Sequence, residues 1–120
     1  MNALQLHLDD IKQAFAHEPY PSFATRKEWI ERIVQMVSKN EDNLCKVVSA
    51  DFGIRHTVET RLAEINAVKQ AARYAIKHLQ LWMKESTVDV PSHLKPSKAK
   101  IMAQPKGVVG IISPWNYPIQ

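Results

Sequence analysis

The sequence is sparing with the residues that do specialised work, and each shortage excludes something. Cys45 is the only cysteine, so no internal disulfide can form, and a reducing compartment fits best. There are three glycines in 120 residues, with no glycine-bearing phosphate-binding turn, no low-complexity tract and no internal repeat. No apolar run approaches the ~18 residues of a membrane span. The stretch Met1 to Leu8 lacks the basic region and apolar block of a secretory signal, so a soluble cytoplasmic chain is expected. His7, His17, His56, His78 and His93 lie apart and never at i, i+4, which gives no metal-site spacing; surface or capping roles are expected for them. The net charge is +4, with basic residues scattered. The one local excess, Lys95, Lys98, Lys100 and Lys106, contains no Asp or Glu and reads as a solvated face rather than a phosphate site. Nothing resembles a zinc finger, an RRM or a basic groove-binding helix, so nucleic acid is not an expected partner.

What remains is an ordinary globular composition, 45% apolar and 23% charged, long enough for one small domain. Leu4, Leu8, Ile11 and Phe15 step by three or four and predict an amphipathic helix over residues 2–17. Pro19 and Pro21 break it. A second helix carries Trp29, Ile30, Ile33, Val34 and Val37 on one face; Ser22 or Thr25 can cap its start, and Thr25 with Glu28 fits a capping box. Asn40 can cap a third helix bearing Leu44, Val47 and Val48, which ends near Phe52 with Gly53 supplying the left-handed residue. Val58, Leu62, Ile65, Val68, Ala72, Ile76, Leu79 and Met83 form one unbroken stripe and predict a fourth helix of about 28 residues. Core packing explains that stripe without a cofactor.

After Glu85 the pattern changes. Thr87 to Val90 and Ala99 to Ala103 are short candidate strands in a hairpin-like excursion. Beyond the Pro105-Lys106-Gly107 turn, Val108-Val109-Gly110-Ile111-Ile112 reads as a strand buried on both faces, as in a parallel sheet. A Ser113-Pro114 turn then presents Trp115 and Asn116 at the strand's carboxyl end, where open α/β sheets bind ligands. From residue types alone Asn116 can be a crevice donor or simply a turn residue. Two other features carry less. Asp51-Phe52-Gly53 matches the kinase magnesium motif in letters only, because the glycine-rich loop, strand lysine and HRD segment are missing. Cys45 sits among apolar helix positions and reads as a structural thiol.

The segment Pro105 to Pro118, PKGVVGIISPWNYP, resembles the opening of the cofactor domain of aldehyde dehydrogenases. Upstream, Asp51-Phe52-Gly53 with Arg55, Glu59-Thr60, Glu64-Ile65 and Leu81-Trp82-Met83 resemble the N-terminal helices of the class-3-like branch, with the coniferyl-aldehyde group nearest. The resemblance implies several roles. Ile112, Ser113, Pro114 and Trp115 would line the nicotinamide end of an NAD or NADP site. Asn116 would be the oxyanion donor, and Tyr117 would face the aldehyde tunnel. Residues 107–120 would open the dinucleotide-binding domain, residues 86–106 would correspond to the oligomerisation strands of a homodimer, and residues 1–85 would be the N-terminal helical region.

The expected fold class is therefore mainly α, four helices with a short β excursion and the first strand of an α/β dinucleotide-binding domain. The expected parent activity is oxidation of an aldehyde, coniferyl or another aromatic one, to its acid through a cysteine thiohemiacetal. The family's catalytic cysteine and glutamate match no position here, so the chain alone is expected to be an inactive N-terminal portion. The alternative is a stand-alone helical interaction module.

Overall fold

The computed structural model describes residues 2–120. Contacts divide it into two units: the chain up to Phe23 together with Leu79–Gly110, and Ala24–His78 together with Ile111–Gln120.

In the first unit, helix α1 (Ala3–His17) begins where the Asn2 side chain accepts the Leu4 N–H at 3.1 Å, satisfying one of the helix's orphan donors. Leu8 and Phe15 are half-buried while Leu4 and Ile11 stay exposed. Gly107 faces the Phe15 ring: a Cβ there would sit 3.5 Å from Phe15 Cε1, and the backbone has φ +100°. The positive φ favours glycine, whereas the ring would meet a Cβ only at ordinary contact distance. The expected hairpin forms, with β1 (Ser86–Val88) antiparallel to β2 (Ala99–Ile101), Ser86 opposite Ile101 and Val88 opposite Ala99. Each strand is shorter than its apolar run. Lys100 lies in β2, and its ammonium reaches Glu85 at 2.6 Å, which holds the lysine above its ordinary pKa through that hydrogen bond.

The second unit is helical. Helix α2 (Phe23–Lys39) starts at Phe23, so Ser22 directly precedes it. Thr25 falls inside the first turn, which corrects the Thr25–Glu28 capping box: a box residue must stand outside the helix it caps. Asn40 precedes helix α3 (Glu41–Phe52) but makes no side-chain cap to it. Its amide donates backward to Met36 O at 2.7 Å, closing the end of α2 instead. Gly53 ends α3 with φ 81° as its sequence position requires.

The long helix runs over residues 57–82, but its winding changes. Helix α4 (Thr57–Glu59) passes into a π-helical stretch (Thr60–Ile65) and then helix α5 (Asn66–Trp82). The wider π turn bonds i to i+5 and shifts the helical register of the residues beyond it. As a result Thr60, Glu64 and Ile65 are fully buried, whereas Leu62 is 63% and Val58 51% exposed. The uninterrupted stripe expected from sequence is thus corrected over its first two positions. Val37, Cys45 and Ile65 form a buried core cluster, with Leu44, Val68 and Ile119 packed on it.

The run Val108 to Ile112 is a further difference. Among the described residues it pairs with no strand, and Ile111 and Ile112 are 85% and 97% exposed. Apolar, β-branched composition sets a preference for extended backbone, but a strand exists only through its neighbour's hydrogen bonds.

Candidate active-site segment

The segment singled out by sequence is largely open. Ile112, Ser113, Pro114, Trp115 and Asn116 are all exposed, Trp115 at 86%, and residues 115–119 turn sharply. Tyr117 is half-buried. Ile111, Ile112 and Trp115 offer bare apolar surface at the head of the turn, and the Asn116 amide comes directly after it.

What the sequence reading did not anticipate lies beneath the turn. Glu64, fully buried, uses both carboxylate oxygens. Oε1 accepts from Arg55 Nη1 at 3.1 Å, and Oε2 accepts the backbone N–H of Ile119 at 2.7 Å. The Arg55 side chain is only 9% exposed and also reaches Glu59 Oε1 at 3.2 Å. Its guanidinium lies 4.2 Å from the Phe52 ring centroid and 4.8 Å from that of Tyr117. An arginine is suited to this place, since its planar fork can bond carboxylates in one plane and stack against rings on its faces. Two of these contacts, the Tyr117 ring and the Ile119 N–H, fall within three residues of Asn116. The sequence did carry a faint signal: Glu64 is a carboxylate beside a core stripe position, Ile65, where a charge demands a partner.

A second charge cluster stands at the start of α3. Glu41 Oε1 accepts from Arg61 Nη1 at 2.6 Å and Oε2 from Lys69 Nζ at 2.7 Å. Arg61 Nη2 reaches Asp42 Oδ1 at 2.6 Å. The Lys69 hydrogen bond, with the charges of Lys69 and Arg61, holds the Glu41 carboxyl below its ordinary range against the opposing effect of burial. This cluster ties α3 to the π stretch and α5.

Cys45 is free and 1% exposed, packed with Val37 and Ile65, its thiol 3.8 Å from Thr57 O. Buried among apolar side chains, it fits the structural thiol its neighbours suggest. His56 caps α4, its Nδ1 accepting the Val58 N–H at 3.2 Å. A groove of about 350 Å³ lined by Ile30, Ile33, Val68, Ala72 and Gln120 among others contains no titratable side chain and offers no chemistry.

Residues 7–120 match the model of the aldehyde dehydrogenase family. A probable coniferyl aldehyde dehydrogenase of Pseudomonas aeruginosa is 33% identical over 99% of this chain and 25% of its own length. An aldehyde dehydrogenase family 3 protein, comG, of Dictyostelium discoideum is 34% identical over 92% of this chain and 23% of its own. A 4,4'-diaponeurosporen-aldehyde dehydrogenase of Staphylococcus aureus is 31% identical over 100% of this chain and 26% of its own. The chain thus spans about a quarter of the length of these relatives. With the match running through the helices as well as the terminal turn, the chain belongs to the aldehyde dehydrogenase family.

Proposed function

We propose that this chain supplies the oxyanion side of the active site of an NAD(P)-dependent aldehyde dehydrogenase. The observation that carries the reading is the position of Asn116: an exposed amide directly after an exposed apolar turn, in a segment whose base is fixed to a buried carboxylate. Attack of a thiolate on an aldehyde carbon places negative charge on the carbonyl oxygen. The Asn116 side-chain N–H is the donor for that oxygen, and one fixed donor of this kind is worth ~3–4 kcal/mol at the transition state. Cys45 is buried in the core and is not the attacking thiol, so the nucleophile belongs to another part of the dehydrogenase. Ile112, Ser113, Pro114 and Trp115 would form the wall that holds the nicotinamide and excludes water from one side. As the hydride acceptor, bound NAD or NADP supplies the oxidising power. Tyr117, one ring face held by Arg55, borders the aldehyde's path with the part left open.

The names of the relatives make coniferyl aldehyde and other aromatic aldehydes the first substrates to try. The 120 residues alone are expected to turn over none of them. The hairpin of β1 and β2 is the part we assign to a homodimer contact. The test is Asn116→Ala in the dehydrogenase carrying this chain. The expected result is a fall in kcat of about 10²–10³ with cofactor affinity little changed. Turnover near that of the unmodified enzyme would remove Asn116 from this role.

A further inference from the structure

Glu64 poses a physical question. Taking a carboxylate and a guanidinium out of water is costly, and packed apolar side chains in the same place are often as stable or more so. A buried pair therefore asks for a role other than stability. Glu64 does not sit inside by default. The π stretch over Thr60–Ile65 turns it and Thr60 inward and leaves Leu62 63% exposed, a costly exchange of an apolar for an ionised side chain. It also leaves the Thr60 hydroxyl buried with no hydrogen-bond partner among the described residues. π turns are enriched where function constrains a helix.

The groups that meet Glu64 indicate what the arrangement serves. One oxygen takes Arg55 and the other the Ile119 N–H, 55 residues along the chain. The Arg55 guanidinium in turn lies over the Phe52 ring and over the Tyr117 ring. The turn is thus gripped at Tyr117 by a ring face and at Ile119 by its backbone, with Pro118 stiffening the residue between. Asn116 is the next residue on the free side of that grip. An oxyanion donor stabilises charge only while its N–H is held to the reacting oxygen, and displacement by about 1 Å can cost on the order of 10²-fold in rate.

We propose that Glu64 and Arg55 are positioning residues that act through the turn at residues 115–119 to hold Asn116 in place. The proposal rests on the oxyanion reading of Asn116 given above. Glu64→Gln is the informative substitution because it keeps the shape. A carboxylate accepts from both Arg55 and Ile119, whereas an amide has one acceptor oxygen and must turn its NH2 toward the other donor. Arg55→Lys is the second variant, keeping the charge but losing the fork and the flat faces.

The experiment measures kcat, the aldehyde KM and the cofactor Kd in the dehydrogenase carrying this chain, for Glu64→Gln, Arg55→Lys, Asn116→Ala and each of the first two combined with Asn116→Ala. The expected result is a ten- to hundred-fold lower kcat for Glu64→Gln or Arg55→Lys with cofactor Kd unchanged. In the Asn116→Ala background the same substitutions should cost no further kcat, because what they misplace is already gone. A merely structural role would give losses that multiply in both backgrounds, and that outcome overturns the proposal, as does an unchanged kcat in the single variants. If Glu64→Gln does not fold, Arg55→Lys decides by the same comparison. Loss of activity in Asn116→Ala with multiplying losses would sink the positioning role alone. An unaffected Asn116→Ala would sink the oxyanion reading, and this proposal with it.

Discussion

At the scale of single residues, the most instructive contrast is between two glutamates. Glu64 is inside and committed to two donors from distant parts of the chain; Glu41 is partly open and committed to Lys69 and Arg61. Glu41 offers a direct test of its own. Its folded pKa lies below the ordinary value of 4.5, the Lys69 hydrogen bond being the main cause. A depressed carboxyl adds stability that is fully present above the unfolded pKa and is lost as pH falls through the folded one. Thermal melts of the wild type and Glu41→Gln should therefore differ most at pH 6–7, on the order of a few degrees, and converge as pH drops below about 4.5. A gap that stays constant down to pH 3 would show that the pair contributes through shape rather than charge.

At the scale of elements, the helices were legible because burial repeats every three or four residues, and sequence carries that period openly. The first helix, the Gly53 terminus and the hairpin of β1 with β2 came through because local pattern and turn chemistry mark them. The π stretch did not, because no residue type marks it; its register is set by what Glu64 and Thr60 meet in space. The same cause hid the clamp beneath the turn: Ile119 contributes a backbone N–H, which any residue but proline would carry, and its partner is 55 residues away. Asn40 misled in a milder way, since a residue between two helices can close the first as easily as open the second. The changed winding makes an element-scale prediction. An unbroken stripe would bury Leu62 and Ile65 alike, yet here Leu62 is 63% and Ile65 0% exposed. In denaturant titrations of this chain, Leu62→Gln should shift stability by less than about 0.5 kcal/mol, while Ile65→Ala should cost about 2–4 kcal/mol. Similar losses at both positions would mean the helix is wound as α throughout.

At the scale of the whole molecule, the question is what covers the apolar surface that the chain displays. Val37, Cys45, Val48, Ile65, Ala72 and Leu79 are buried, whereas Ile111, Ile112 and Trp115 stand almost fully open in one short segment. Contiguous exposed apolar surface of this kind marks a place meant to meet something, and unpaired extended backbone beside it adds a template for strand pairing. In the dehydrogenase reading the cover is the rest of the cofactor domain, and the run Val108 to Ile112 becomes a strand when a neighbour supplies the hydrogen bonds it lacks here. Taken alone, the 120-residue chain should then associate without a defined stoichiometry, its sedimentation coefficient rising steadily with concentration. Ile112→Lys should weaken that association at least several-fold, because it puts a charge in the middle of the patch without touching the Glu64 clamp. A single discrete oligomer, stable across concentration and indifferent to Ile112→Lys, would point the other way. It would mean that the helical surface has its own partner, another copy of itself, and that the chain is built to bind as an interaction module in its own right.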